Sequence, residues 1–303
     1  MDLIQNFKIY VSVVEAGGFA TAANLLQIQP SAVTKAVKAL EDRLGVRLLN
    51  RTTRQVSLTA EGKIFYERCV TILKDIDRAC DSIRAVPRKP RGRLRVDLPV
   101  MLATSVIIPS LPEFQERYPD IELAIGVTDR VEHIVRGGID CALRVGELPD
   151  SSLIAKRLGT ARMITCASAA YLEKYGEPRT LEDLENNHRA VHYFVHPGTK
   201  VISWQFVVDR KPCDIRLKHA VLIDQVDAYI AAGTAGLGIV QTLEPFLKPY
   251  IDKGTLVPVL QEFPCMERSV AFVYPDKENM PLKTSVFMEW AAGLLKESGF
   301  ITG

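Results

Sequence analysis

No apolar run in this 303-residue sequence approaches the ~20 residues needed to span a bilayer, so a membrane-spanning segment is not expected. Cysteine is sparse. The six residues at 69, 80, 141, 166, 213 and 265 are scattered, and none form a Cys-x-x-Cys pair. That spacing speaks against a zinc knuckle or a dithiol redox motif and points to reduced, structural thiols; a thiol sensor has only weak support. Neither a Gly-x-Ser-x-Gly nucleophile elbow nor a phosphate-binding P-loop occurs. The first eight residues lack a basic region followed by an apolar core, so no signal peptide is expected and the cytoplasm is the expected compartment. Neither sign of charge dominates, at a net +2. With 47% hydrophobic and 24% charged residues, the chain has an ordinary globular composition, and its length suits two or three domains.

What is present is unevenly distributed. Residues 1–90 hold 14 Lys/Arg against 9 Asp/Glu, while residues 91–303 hold 24 against 27. The excess is densest at Lys35, Lys38, Arg43, Arg47, Arg51 and Arg54, which suits a polyanionic partner at one end of the chain. In this region Leu3, Phe7, Tyr10, Val11 and Val14 predict the buried face of a first helix, with Asp2 as its N-cap and Gly17-Gly18 as its stop. Ala22, Ala23 and Leu26 mark the inner side of a second helix. Val33, Val37, Leu40 and Leu44 form the stripe of a third, which Pro30 opens. Opposite that stripe lie Ser31, Thr34, Lys35 and Lys38, the small hydroxyls and cations expected where a helix enters a DNA major groove. Leu48-Leu49 and Val56-Leu58 predict two short strands around a basic turn, which makes residues 1–58 a winged helix-turn-helix.

From Thr59 to Val86 the apolar residues Phe65, Cys69, Ile72, Ile76, Ala79, Ile83 and Val86 are spaced alternately by four and three. That is a heptad seam, so a coiled-coil linker helix over 59–86 is expected to dimerise through Phe65, Cys69, Ile72, Ile76, Ala79 and Ile83. The alternative is a seam packed on its own chain. Residues 87–93, with two prolines and a glycine among four cations, predict a hinge.

Several phrases now combine. Gly18-Phe19-x-x-Ala22-Ala23-x-x-Leu26, Pro30-Ser31-Ala32-Val33-Thr34-Lys35, Leu40-Glu41-x-x-Leu44-Gly45, Arg51-Thr52-Thr53-Arg54 and Leu58-Thr59-x-x-Gly62 together resemble the LysR-type transcriptional regulators. The ordered set carries the resemblance, because no single piece is specific. Gln29 stands where many members have a serine before the recognition helix, and Thr34-Lys35 where many have Ser-Arg. The resemblance implies a DNA surface of Thr21, Gln29, Pro30, Ser31, Thr34, Lys35, Lys38, Arg51 and Arg54, with Thr21 on a phosphate and Arg54 on the wing. It implies a sequence-specific, non-enzymatic regulator of double-stranded DNA modulated by a small-molecule effector, without a cofactor. Dimers, tetramers built from further C-terminal contacts, and RNA polymerase as a partner also follow from the family.

Residues 94–303 alternate strands and helices, which predicts βαβ units and a mostly parallel sheet. Strands are expected at 94–98, 121–127 and 140–144 with helices at 105–117 and 131–136; a second lobe has strands at 161–167, 190–194 and 218–223 and a helix at 225–232. Tyr118-Pro119-x-Ile121, Gly138-Ile-Asp140-x-Ala142-x-Arg144-x-Gly146 and Ala232-Gly233-x-x-Gly236-x-Gly238 again resemble the LysR family. The resemblance implies an α/β effector-binding domain like a type 2 periplasmic-binding protein. Lobe one would comprise 94–161 and 269–303, and lobe two 162–268. Ligands of open α/β sheets bind beyond the carboxyl ends of strands. That nominates Pro99, Val100, Met101, Thr104, Thr128 and Arg144 from the first lobe and His192, Phe194 and His196 from the second. Arg144 suits an organic anion or an ion pair with Glu147 or Asp140. Val100-Met101-Leu102 suits a ligand with an apolar part or simply core. His192-x-x-x-His196 has helical metal-ligand spacing but sits in strand-like sequence without an acidic or thiol partner, so no metal is expected. A competing class is a small-molecule sensor or enzyme whose N-terminal module makes protein contacts.

Overall fold

The computed structural model describes residues 2–51, 56–82, 89–129, 138–148, 153–194, 203–275 and 280–303. Arg54, Ile83, His196 and the helix expected over 131–136 lie outside them. The chain divides into two compact units, with the boundary between Arg88 and Lys89.

The first unit packs α1 (Leu3–Glu15), α2 (Phe19–Leu26) and α3 (Pro30–Leu44) around one core. A two-stranded antiparallel wing, β1 (Leu49–Arg51) and β2 (Val56–Leu58), closes it. Gly17 at φ 66° provides the left-handed residue that ends α1. The inner face of α1 differs from expectation: Asn6, Phe7, Ile9, Tyr10 and Val13 are buried, while Val11 and Val14 are half-buried. The helix presents two neighbouring rows to two partners, α3 and α4, so a single stripe could not describe it. Asp2 occupies the N-cap position but its side chain caps nothing. Leu44 is 43% exposed, because the last turn of α3 overruns the core before Gly45 ends it; Ala36 takes the inner place instead.

The long helix α4 (Ala60–Ser82) begins at Thr59, whose hydroxyl oxygen accepts the Gly62 N–H at 2.9 Å. Its first turns belong to this unit. Phe65 packs its ring 5.6 Å from Phe7 and 5.5 Å from Tyr10, and Cys69 is fully buried in the same core.

The second unit opens with β3 (Gly92–Leu98), two residues earlier than expected, since Gly92 and Arg93 already pair with Ile121 and Glu122. It continues as α5 (Val100–Leu102), a π-helical turn (Ala103–Ile107) and α6 (Ile108–Arg117), one unbroken helical run that starts at Val100 rather than at residue 105. After it come β4 (Ile121–Val127), β5 (Cys141–Val145) and β6 (Ile154–Ala161). Then follow β7 (Met163–Ala167), α7 (Ala169–Tyr175), α8 (Leu181–Asn187), β8 (Arg189–Tyr193), β9 (Trp204–Val208), β10 (Lys211–Ile215) and β11 (Lys218–Ile223). The chain ends with α9 (Val226–Thr234), β12 (Val240–Leu243), α10 (Glu244–Asp252), β13 (Val257–Pro258), β14 (Arg268–Tyr274) and α11 (Leu282–Glu297).

A five-stranded sheet of order β4-β3-β5-β14-β6 makes the first lobe; β3 runs parallel to β4 and β5, and β14 antiparallel to β5 and β6. The second lobe holds the β12-β7-β13 sheet, the parallel β8–β11 pair and the β9–β10 hairpin, which the sequence did not announce. The Gly233 to Gly238 segment is a packing device rather than a cofactor loop. Gly233 carries Val240 against α9, where a Cβ would come within 2.5 Å of a Val240 methyl. Gly238 lies against the β8 backbone, with a Cβ position 2.8 Å from the Arg189 carbonyl.

Candidate functional site

The outer face of the first unit is built by α2 and α3. Along α3, Val33, Ala36, Val37 and Leu40 are buried, which turns Ser31, Thr34, Lys35 and Lys38 to solvent. Ser31 and Lys35, and Thr34 and Lys38, are four apart and therefore neighbours in two parallel rows. The Thr34 hydroxyl donates to the Pro30 carbonyl at 3.1 Å, which fixes its rotamer and leaves its oxygen free to accept. Gln29 and Pro30 begin the helix, both exposed, and Gln29 gives no side-chain cap. Its first-turn N–H groups are thus not consumed by a side chain of the N-cap residue. Thr21 is exposed on α2. Arg51 lies in β1, and Arg54 falls outside the described residues.

Glu41 sets the wing against this face. Its Oε1 accepts the backbone N–H of Leu48 at 2.9 Å and of Leu49 at 3.3 Å, tying β1 to α3. The Tyr10 hydroxyl donates to the Gly62 carbonyl at 2.8 Å and joins α1 to α4; burial holds this phenol well above its ordinary value. A Cβ on Gly62 would stand 1.9 Å from the Leu48 carbonyl oxygen, so only glycine permits this approach.

The dimer seam expected along α4 needs correction at its start. Cys69 is fully buried and Phe65 half-buried within their own unit, joined by Tyr66 and Leu73, so Cys69 does not remain to face a partner helix. Spacing by four and three marks an apolar stripe but cannot distinguish a second chain from the chain's own core. Ile64 at 64% and Ile72 at 40% are the exposed apolar residues of α4, and Ile76 is half-buried. The side chain of Ala79 and all of Ile83 lie outside the described residues.

In the second unit, the carboxyl ends of β3, β4 and β5 converge. Arg144 on β5 is 6% exposed and donates from Nη2 to Asp97 Oδ2 on β3 at 2.9 Å and from Nη1 to the Leu143 carbonyl at 2.9 Å. Asp97 is its partner in place of the expected Glu147 or Asp140. Gly126 on β4 makes the room, since a Cβ there would fall 2.2 Å from Asp97 Oδ1. Arg144 Nε is buried with no hydrogen-bond partner among the described residues.

Thr128 follows β4, its N–H on the Leu98 carbonyl at 3.0 Å, and Asp129 comes next. Asp129 Oδ1 accepts the Val100 N–H, the first of the helical run, at 3.0 Å. Burial pushes this carboxyl above the usual carboxylate range, and Asp227 adds to the rise, against the backbone N–H groups of Val100 and Val226 and the charge of Arg144. Pro99, Val100, Thr128 and Arg144 therefore gather at one place. Met101 is half-buried beside them, packed on the main core of the unit. Thr104 does not begin a helix: it is exposed in the second turn, and its hydroxyl donates to the Val100 carbonyl at 3.0 Å.

Along β8 of the second lobe, His192 and Tyr193 turn to opposite faces. Side chains alternate along a strand, and it is Tyr193, not His192, whose phenol feels the charges of Asp129 and Asp224; burial raises it first and those charges add. Tyr193 also packs edge-on against Tyr229 at 6.2 Å. His192 points the other way, with Trp204 and His219 each 5.9 Å off and Nε2 3.4 Å from the Leu217 carbonyl. Phe194 donates its N–H to the Ile223 carbonyl at 3.0 Å. Sequence reasoning missed Asp97, Asp129, Tyr193 and Val226. Asp97 follows Arg93 and Arg95 in the alternation of Leu94, Val96 and Leu98, so nothing in the strand's pattern set it apart.

Cys69, Cys141, Cys166, Cys213 and Cys265 form no disulfide among the described residues. Burial pushes the thiols of Cys69 and Cys166 up to about 12, which leaves little thiolate. Among the described residues no cluster of His, Cys, Asp and Glu could hold a metal, and no helix is long and apolar enough to cross a membrane.

Comparison with known proteins agrees with this division. Residues 4–63 match the bacterial regulatory helix-turn-helix protein, lysR family, and residues 87–296 match the LysR substrate binding domain. The chain is 33% identical to the HTH-type transcriptional regulator CrgA of Neisseria meningitidis over 97% of both chains. It is 30% identical to the HTH-type transcriptional activator AaeR of Escherichia coli over 99% of this chain and 96% of that one. The solved structure of CrgA matches with a TM-score of 0.58 at 32% identity, covering 95% of this chain and 97% of that one. These matches, spanning both the helix-turn-helix and the regulatory domain, place the chain in the LysR family: it is a LysR-type transcriptional regulator with a DNA-binding domain and an effector-binding domain.

Proposed function

We propose that the chain reads operator DNA with the outer face of α3 and the wing. Ser31, Thr34 and Lys35 meet base edges; Lys38, Thr21 and the Gln29-Pro30 start of the helix meet flanking phosphates; Arg51 and Arg54 extend the contact along the wing. The observation that carries this reading is the division of α3, which buries Val33, Ala36, Val37 and Leu40 and leaves Ser31, Thr34, Lys35 and Lys38 outside. Hydroxyls can bond either base edges or phosphates, and lysine can donate to guanine or a phosphate. Two copies joined along α4 through Ile64, Ile72 and Ile76 would address two half-sites, and tetramers would form through the C-terminal domains. The protein works in the cytoplasm, where RNA polymerase responds to the bent or released DNA.

The effector in this reading is an organic anion bound where Val100, Thr128, Arg144, Val226 and Tyr193 meet, between the two lobes of the regulatory domain. It acts by favouring one arrangement of the dimers, which requires that it bind the two arrangements with different strength. The test is fluorescence anisotropy on duplex DNA from directly upstream of the protein's own gene, at two salt concentrations, against nonspecific duplex and a panel of organic anions. Specific binding that falls as log K against log salt, and shifts with at least one anion, is the expected result. Salt-independent binding without sequence preference would sink the reading.

A further inference from the structure

His188, at the carboxyl end of α8, is a buried titratable group with no task in DNA reading or effector binding. It is 3% exposed and lies between a phenol and a carboxylate. From α7, which Ser168 caps, the Tyr171 hydroxyl stands 3.3 Å from His188 Nδ1. From α8, which Thr180 caps, Asp183 Oδ2 stands 4.0 Å from Nε2, beyond a hydrogen bond but close for a charge. The Asn187 amide at 2.9 Å and the Arg179 N–H at 3.2 Å hold that carboxylate and keep it below the usual carboxylate range. Tyr171 continues the contacts to the backbone. Its oxygen accepts the N–H of Arg189, the first residue of β8, at 3.0 Å. Its proton can go to Nδ1 or to the Arg189 carbonyl, 3.4 Å away. A hydroxyl has one proton, so either choice excludes the other.

We propose that Asp183, His188 and Tyr171 form an acid-sensing latch at the root of β8, in which a proton taken from water onto Nδ1 turns the Tyr171 hydroxyl around. In the neutral state Nε2 carries the ring proton on the side of Asp183, and Nδ1 accepts from Tyr171. In the charged state Nδ1–H and the Arg189 N–H both donate to the phenol oxygen, the phenol donates to the Arg189 carbonyl, and Nε2–H closes on Asp183. Both states are hydrogen-bonded, which separates a switch from a buried histidine that merely fails when charged. Burial lowers His188 below the ordinary imidazole value, and Asp183 opposes that fall. The folded domain therefore takes this proton less readily than the unfolded chain. Stability from this group is present above the ordinary value and is lost as pH falls through the folded-state one. The other charges on the latch are Arg179, which acts on Asp183, and Arg189, which acts on Tyr171. Tyr175 stacks 4.8 Å from the Tyr171 ring, with Lys174 5.1 Å from the ring of Tyr175, and Gly238, packed on the Arg189 backbone, adds no charge.

Deuterium exchange on the full chain tests this, at the imidazole C2–H for the titration and at backbone amides for the response, between about pH 4 and 8. Exposed His219 is the internal reference. The His188 midpoint should lie below that of His219, and Asp183→Asn should lower it further, by about one pH unit. With the intrinsic pH dependence of exchange divided out, the peptide carrying Arg189 should exchange at least about threefold faster near pH 5 than near pH 7.5 in the wild type. His188→Asn should show no such change. Tyr171→Phe deprives the Arg189 N–H of its acceptor, so this peptide should be less protected at both pH values, with a ratio near one because the ring no longer reaches the strand. A His188 midpoint at or above that of His219, an unmoved midpoint in Asp183→Asn, or the wild-type ratio persisting in His188→Asn or Tyr171→Phe would overturn the proposal. If His188→Asn fails to fold, the midpoints and Tyr171→Phe decide alone.

Discussion

On α2 and α3 the hydroxyls and cations assigned to DNA stand outside a core that contains none of them, whereas the regulatory domain puts an acid and a base inside, at Asp97 and Arg144. The difference follows from the two tasks. A phosphate backbone is met at a surface, where charge is cheap to keep because water solvates it. A small ligand must be enclosed, so the groups that greet it are desolvated and need partners in its absence. Changes to the first region should therefore separate binding from stability, and changes to the second should not.

The largest expected effect is at Arg144. Replacing it with alanine leaves Asp97 buried and uncompensated, at a cost of about 3–5 kcal/mol. Both tryptophans, Trp204 and Trp290, lie in the regulatory unit, so the denaturation midpoint read by their fluorescence should drop sharply. A midpoint unchanged within error would mean that the Asp97–Arg144 pair is not a structural necessity.

Next is Gly62→Ala. The new methyl meets the Leu48 carbonyl at 1.9 Å, and backbone must move, costing roughly 3 kcal/mol. Far-UV circular dichroism should show early loss of helix while tryptophan fluorescence stays nearly silent, since no tryptophan lies in the first unit.

The smallest effect sharpens the contrast by pH. Burial raises Asp129 above its ordinary value, so the folded protein holds that proton more tightly than the unfolded chain. Stability from this group is present at low pH and is lost as pH rises through the folded-state value. Asp129→Asn removes the titration. Its melting temperature relative to wild type should therefore climb as pH is raised from 4 to 7, under the charges of Arg144 and Asp227. A flat difference would contradict the burial.

Much of the fold was legible, for identifiable reasons. Pro30, the Gly17 stop, the Thr59 cap and the stripe through Val33, Val37 and Leu40 are local signals with local causes. The strands expected at 121–127 and 140–144 were equally plain, the second shifted by one residue to Cys141–Val145. What stayed hidden depends on distance along the chain. The partner of Arg144 is 47 residues away, and the approach of Tyr193 to Asp129 turns on which face of β8 meets the first lobe. Phe65 and Cys69 illustrate the same limit, since a heptad stripe states that a surface is covered and not by what.

The most direct test of DNA reading by α3 is an anisotropy titration of upstream duplex with wild-type protein and Lys35→Ala/Lys38→Ala, across several salt concentrations. Exposed lysines away from the core should leave stability within about 0.5 kcal/mol. If both contact DNA, affinity falls and the slope of log K against log salt decreases in magnitude by up to about 2. Wild-type affinity and slope in the double variant would show that the exposed face of α3 is not where this regulator meets its operator.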